Sequence, residues 1–127
     1  MPVRRVHAGE IAAVFVGGFA GTIARVALAQ SLPADVAQWP WATFLANVAG
    51  ALLLGFVATR IAGRHRLLLL GTGLCGALTT FSTLQLELLL MLDGEHYALA
   101  AAYALVSVAA GLAAVALAAG VARRTAS

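Results

Sequence analysis

Four long apolar stretches dominate this chain, and short, more polar connections separate them. They run over about residues 10–31, 41–62, 67–91 and 97–122. Roughly 20 apolar residues in a helix cross a hydrocarbon core of about 30 Å, so each stretch is long enough to span a bilayer. The pattern predicts an all-α membrane protein with four transmembrane helices in a single domain over residues 1–127.

The composition supports a membrane protein and limits the other readings. Of the 127 residues, 62% are hydrophobic and 10% are charged, which is too little polar surface for a soluble domain. Arg4 and Arg5, the apolar run and the residues ALA at 27–29 also resemble a signal peptide. We favour a retained helix, because Arg25 interrupts the run and three further spans follow. The sequence contains no catalytic motif, metal-ligand cluster or phosphate-binding loop, so we expect no enzyme.

Small residues repeat along the first two spans. Gly17 and Gly21 form a small-xxx-small pair in the first span, and Gly50 and Gly55 make the second equally slim. Small residues let helices approach closely where lipid supplies no hydrophobic drive between them. These glycines therefore predict close helix packing.

Polar residues inside the spans are the candidates for function, because they are costly there. Asn47 lies about two turns into the second span, and Tyr103, Ser107 and Gly111 share one face of the fourth. Each hydroxyl could instead bond a carbonyl of its own helix. Taken together, they could form one polar path. The third span adds four hydroxyls around one aromatic ring: Thr79, Thr80, Phe81, Ser82 and Thr83.

The third span also carries the signals of a broken helix. Gly76 precedes the β-branched Thr79 and Thr80, which favours a break mid-membrane. Broken helices expose carbonyls that can bind a cation, and oxygen ligands suit a small alkali ion. The positive edge of the Phe81 ring can face an anion. No acidic residue lies deep in any span, and the nearest exception, Glu87, lies toward the end of the third. The pattern therefore indicates a path for an anion.

The third-span sequence GLCGALTTFSTLQLE, residues 73–87, resembles the signature of the small bacterial fluoride channels, the Fluc or CrcB family. The usual form of that signature reads GFCGGxTTFSTFSxE. The likeness extends to GGFAGTIAR in the first span, FLANVAGALLLGF in the second, and the tyrosine and serine of the fourth. The resemblance implies an antiparallel dimer of four-helix subunits with two fluoride pores and a central structural Na⁺ that is not transported.

The resemblance also implies roles for single residues. Gly76 and Thr79 would bind the sodium ion through their backbone carbonyls. Arg25 would lie near an aqueous vestibule, unless it is a structural arginine that reaches the interface. Two departures from the family pattern are Leu84, in place of a second phenylalanine, and Gly111, in place of a second serine. The fluoride path would be lined by Asn47, Phe81, Tyr103, Ser107 and the hydroxyl of Ser82 or Thr83.

The implied function is a fluoride-specific ion channel in a bacterial plasma membrane. Hydrogen fluoride enters as a neutral acid and dissociates in the cytoplasm, and a passive pore then suffices for export. An inside-negative potential drives anions out with about 2.3 kcal/mol per charge per 100 mV. Small multidrug exporters are an alternative of similar size, but they need a membrane-embedded carboxylate, and Glu10 lies only at a margin. A non-transporting assembly subunit is a third reading, against which the hydroxyls of the third span argue.

The charges predict an orientation and a partner. The side formed by the first and third loops has no Lys or Arg and carries Asp35, Asp93 and Glu95. The positive-inside rule then predicts cytoplasmic termini. Because an antiparallel homodimer needs one sequence to insert both ways, we favour a heterodimer with an oppositely inserted homologue over a homodimer. Apart from that subunit we expect fluoride and lipid as partners, and no nucleic acid. Seven arginines share the other side: Arg4, Arg5, Arg60, Arg64, Arg66, Arg123 and Arg124.

Overall fold

The computed structural model describes residues 2–126, and all regular secondary structure in that range is helical. Four helical stretches are long and apolar enough to cross a membrane: Ala8–Ser31, Trp41–Arg60, Arg64–Asp93 and Tyr97–Arg124. This finding confirms the prediction of an all-helical chain with four candidate spans. The elements in chain order are α1 (Ala8–Ser31), α2 (Trp41–Arg60), α3 (Arg64–Leu67), a π-helical segment (Leu68–Cys75), α4 (Gly76–Leu78), α5 (Phe81–Asp93) and α6 (Tyr97–Arg124).

The third stretch is composite, unlike the other three. Its first part widens into the π-helical segment, and Thr79 and Thr80 then separate α4 from α5. Thr79 has φ −78° and ψ 149°, and Thr80 has φ −145° and ψ 119°, so both residues are extended. The Thr80 hydroxyl accepts a hydrogen bond from the Thr83 N–H at 3.2 Å, which caps the start of α5. We call these two residues the Thr79/Thr80 interruption.

The glycines of α1 and α2 are where the helices approach most closely. A Cβ on Gly17 would collide with the carbonyl of Leu69, and Gly21 likewise faces a carbonyl of the π-helical segment. On α2, a Cβ on Gly55 would stand 2.5 Å from the carbonyl oxygen of Val115 in α6. Thus α1 packs on the third stretch and α2 packs on α6. The prediction that small residues bring the helices together is confirmed.

Arginine contacts gather three segments at one end of the bundle. The Glu10 carboxylate, only 2% exposed, bonds the guanidinium of Arg4 at 3.1 Å and also that of Arg64. Arg60 donates a hydrogen bond to the carbonyl of Ala122 in the last turns of α6, at 3.3 Å. The N-terminal segment, the loop after α2 and the end of α6 therefore lie together. We call this the arginine end.

Aromatic packing fills the opposite end. The Trp39 ring lies 5.3 Å from Tyr103 and 5.4 Å from Phe44, both edge to face. Leu84 is 9% exposed and belongs to the same buried cluster, whereas Phe81, three residues earlier, is 69% exposed. Leu84 therefore packs inside the subunit and Phe81 faces out of it.

Candidate functional site

The side chain of Asn47 binds both backbone polar groups of Thr80. Its Oδ1 accepts from the Thr80 N–H at 2.7 Å, and its Nδ2 donates to the Thr80 carbonyl at 3.2 Å. In a continuous helix these two groups would bond within the helix. An amide on α2 thus replaces two helical hydrogen bonds at the interruption and ties α2 to it.

Other side chains bind the carbonyls just before the interruption. The Arg25 Nε donates to the Ala77 carbonyl at 3.0 Å, and the Thr79 hydroxyl donates to the Cys75 carbonyl at 2.9 Å. None of these bonds, nor those of Asn47, reaches the carbonyl of Gly76 or Thr79. The side chains of Arg25, Asn47 and Thr79 therefore do not donate to either carbonyl of the predicted sodium site. The guanidinium of Arg25 is half-buried against α4, and its vestibule role stays a prediction.

The hydroxyls of the third stretch divide between two sides of the subunit. The Thr80 hydroxyl donates to the Thr83 hydroxyl at 3.0 Å, and the Ser82 hydroxyl lies 3.3 Å from the Thr80 hydroxyl. Thr83 is half-buried, while Ser82 and the Phe81 ring are exposed. Of the predicted pathway residues on α5, Thr83 therefore faces the interior, and Phe81 and Ser82 face outward on the single subunit.

A second polar group lies one turn along α5. The Glu87 carboxylate accepts from the Thr43 hydroxyl at 2.6 Å and from the Tyr103 hydroxyl at 2.6 Å. Tyr103 is fully buried and Thr43 is 6% exposed. Glu87 itself is half-buried, and the two hydroxyls supply hydrogen-bond partners for its carboxyl oxygens. This triad therefore joins α2, α5 and α6 through two hydrogen bonds.

Ser107 lies one turn beyond Tyr103 on α6, on the same face. Its hydroxyl is buried, and no hydrogen-bond partner for it is found among residues 2–126. Buried polar groups in proteins nearly always have a partner. Gly111, another turn on, has open space where a Cβ would be. The stripe predicted on α6 thus offers an unsatisfied hydroxyl followed by a gap.

A cavity of about 320 Å³ connects the loop after α1 with two members of the triad. Thr43 and Glu87 line it together with Thr83, and exposed residues of the loop line its outer part. The cavity therefore opens these three side chains to the end of the bundle opposite the arginine end.

Two members of the triad were missed in reading the sequence. Thr43 went unnoticed, and Glu87 was treated as an exception rather than as a partner of Tyr103. A signal was present, because polar residues recur at i and i+4 on three helices, a spacing that places each pair on one helix face. The pairs are Thr43 and Asn47 on α2, Thr83 and Glu87 on α5, and Tyr103 and Ser107 on α6.

A cation in this region would have to be held by backbone groups. Within residues 2–126 there is no group of three or more His, Cys, Asp or Glu side chains that could hold a metal ion. A hard alkali cation instead prefers oxygen ligands, which peptide carbonyls supply. The donor set at the interruption therefore suits sodium rather than a transition metal.

Four apolar spans with hydrogen-bonded polar groups between them define a small multi-pass membrane protein with a polar interior. The chain belongs to the CrcB family, because residues 12–120 match the family described as CrcB-like protein, Camphor Resistance (CrcB). The resemblance seen in the third-span motif is confirmed.

Curated relatives cover most of the chain. A protein of Mycolicibacterium paratuberculosis named Fluoride-specific ion channel FluC 1 is 53% identical over 108 residues, which is 81% of this chain and 82% of that protein. The protein of the same name from Mycobacterium tuberculosis is 52% identical over the same shares. Fluoride-specific ion channel FluC of Chlorobaculum tepidum is 42% identical over 106 residues, covering 79% and 83%.

Proposed function

We propose that this chain forms a fluoride-specific ion channel that lets fluoride leave the cell passively. The observation that carries the proposal is the buried hydroxyl of Ser107, which has no partner in residues 2–126 and lies one turn from Tyr103. A buried hydroxyl donor without an acceptor would suit an anion. The relatives' names give the anion as fluoride.

Hydroxyl and amide donors explain why fluoride would be preferred. Fluoride is small and strongly hydrated, so a path must replace its water with donors at close range. Ser107 and Thr83 supply hydroxyl donors, and the second N–H of the Asn47 amide is not used by its bond to the backbone. The Tyr103 hydroxyl, whose proton is donated to Glu87, would line the path as a polar neighbour. Chloride is larger and accepts weaker hydrogen bonds. A narrow path of this kind would therefore pass fluoride and exclude chloride.

We also propose that the interruption lies mid-membrane and holds a structural sodium ion. One support is the extended backbone of Thr79 and Thr80. The other is that the side chains of Arg25 and Asn47 donate to neighbouring carbonyls and not to those of Gly76 and Thr79. Those two carbonyls would be the ligands. A bound cation would stabilise carbonyl dipoles that lipid cannot solvate.

A second subunit is the third part of the proposal. Phe81 is 69% exposed, and Ser82 is exposed beside it. If this ring and hydroxyl line an anion path, they must contact protein rather than lipid, and an antiparallel partner subunit would supply that contact. Phe81 and Ser82 would then line the path at the subunit interface, while Asn47, Thr83, Tyr103 and Ser107 line it from within.

The charge distribution supports an oppositely inserted homologue as that partner. Contacts of Arg4, Arg64 and Arg60 gather the basic segments at the arginine end, and the other end carries Asp35 and Asp93 without a compensating Lys or Arg. By the positive-inside rule the arginine end is cytoplasmic in a bacterial plasma membrane. So strong a bias opposes dual insertion and favours a heterodimer.

Fluoride flux from liposomes tests the function. The purified chain, alone and with a candidate second subunit, is reconstituted with fluoride inside, and efflux is followed with a fluoride electrode. We expect fluoride efflux from the conducting assembly and, in parallel liposomes, very little chloride efflux. Comparable fluxes of the two anions would contradict a fluoride-specific path. Efflux from the chain alone, with its C-terminus found on both sides of the membrane, would contradict the heterodimer.

A further inference from the structure

The loop after α1 forms the rim of the 320 Å³ cavity, and it carries one charged residue there. Residues 32–36 are exposed and line the outer part of the cavity, and Asp35 is the charged member among them. Buried Thr43 and Met91 form part of the floor with Thr83 and Glu87. A carboxylate therefore belongs to the rim of a cavity whose floor contains one hydroxyl of the proposed path, that of Thr83.

The rim is held in place by a small turn. The Asp35 N–H donates to the side-chain carbonyl of Gln38 at 3.2 Å, and the Gln38 N–H donates to the Asp35 carbonyl at 2.9 Å. Two hydrogen bonds in opposite directions fix the backbone of Asp35 relative to the start of α2. Asp35 is thus held by its backbone among the residues that line the rim.

Resting on the proposed function, we propose that the cavity is the mouth of the fluoride path at this end, and that Asp35 limits flux by repelling fluoride from it. No arginine of the loops compensates this charge, because those arginines lie at the arginine end of the bundle. A fixed negative charge lowers the local concentration of a diffusing anion and hence the rate of entry. Asp35 is in this view a determinant of conductance, and it leaves the selectivity of the inner path unchanged.

The size of the effect follows from Coulomb's law in water. One charge within roughly 8 Å of the mouth changes the local anion concentration by about twofold at low salt. The Debye length falls from about 30 Å at 0.01 M to about 3 Å at 1 M. Asp35→Asn should therefore raise fluoride flux about twofold at 0.01 M ionic strength and leave it unchanged at 1 M. Asp35→Lys should raise it further at low salt.

Asp93 provides the matched control. It is the last residue of α5, is exposed at the same end of the bundle, and does not line the cavity. Asp93→Asn removes the same charge from the same side, so it reports any general effect of net charge. Asp35→Glu keeps the charge and alters the size, so it should conduct like the unaltered chain.

The experiment measures initial fluoride efflux from liposomes at both ionic strengths, in whichever assembly conducts. A salt-dependent gain for Asp35→Asn, absent from Asp93→Asn and Asp35→Glu, supports the proposal. Equal fluxes for Asp35→Asn and Asp93→Asn would overturn it while leaving the channel function intact, and so would a gain with Asp35→Glu. No fluoride flux from the unaltered chain in either assembly would overturn the proposed function and this inference together.

Discussion

Replacing Asn47 by alanine tests how the Thr79/Thr80 interruption is maintained. The substitution removes the acceptor of the Thr80 N–H at 2.7 Å and the donor to the Thr80 carbonyl at 3.2 Å. Neither group can return to a helical partner while Thr80 stays extended. Each buried polar group left without a partner costs about 1–3 kcal/mol, so Asn47→Ala should reduce the free energy of unfolding by about 2–6 kcal/mol.

Two further variants separate the hydrogen bonds from the loss of a side chain. Asn47→Asp keeps an acceptor for the Thr80 N–H, loses the donor to the carbonyl and sets an oxygen against that carbonyl, so at least half of the effect should remain. Thr59→Ala on the same helix removes a hydroxyl that donates to the Gly55 carbonyl at 2.8 Å. That carbonyl lies in the interior of α2, where a helical N–H also reaches it, and the change should stay within roughly 0.5 kcal/mol.

The assay is thermal unfolding of the detergent-solubilised protein in the presence of sodium. A loss of this size should lower the midpoint by roughly 10 °C for Asn47→Ala, and Asn47→Asp should also melt below Thr59→Ala. If Asn47→Ala and Thr59→Ala melted together, the amide would not be holding the interruption. The argument that α2 fixes the conformation of the third stretch would then be wrong.

Three other substitutions follow from the structure. Gly17→Ala should destabilise the fold by about 1–3 kcal/mol through overpacking against the π-helical segment. Gly120→Ala, with open space around its Cβ position, should be neutral or slightly stabilising. Equal unfolding midpoints of the two variants would contradict the close packing at Gly17. Glu95 has a left-handed φ of 61°, so Glu95→Gly should raise the free energy of unfolding by roughly 0.5 kcal/mol. Glu95→Ala keeps the backbone strain and should give no gain. A gain for both variants would show that the lost charge, and not the backbone, is responsible. Tyr103→Phe removes the hydroxyl bound to Glu87 at 2.6 Å and should lower fluoride flux at least tenfold, the kinetic equivalent of about 1.4 kcal/mol, in the liposome assay; unchanged flux would exclude that hydroxyl from the path.

Local patterns in the sequence were enough for the four spans and for their packing faces. The spans follow from the length of apolar runs, which depends only on neighbouring residues. The role of Gly17 and Gly21 follows from their four-residue spacing, and both are buried as that spacing predicts. These features need no knowledge of which helices meet.

The partners of the polar residues could not be predicted in the same way, because they depend on pairing between distant helices. Asn47 binds the backbone of a residue 33 positions away, and Arg25 binds a carbonyl 52 positions away. A sequence pattern shows that Asn47 is polar in an apolar span, but it does not show whether the amide binds an ion or the chain itself. The triad of Thr43, Glu87 and Tyr103 was in principle accessible through the i, i+4 pairs.

The link between Glu10 and Arg64 also has a consequence for biosynthesis. The N-terminal segment is made first and brings Arg4 with it, so Glu10 has one cationic partner from the start. Its second partner, Arg64, exists only after two complete spans have been synthesised. The first span thus gains its final anchor late, when the turn between the second and third spans arrives beside it. Interrupting synthesis before residue 64 should leave a helical hairpin in which Glu10 has only one of its two cationic partners.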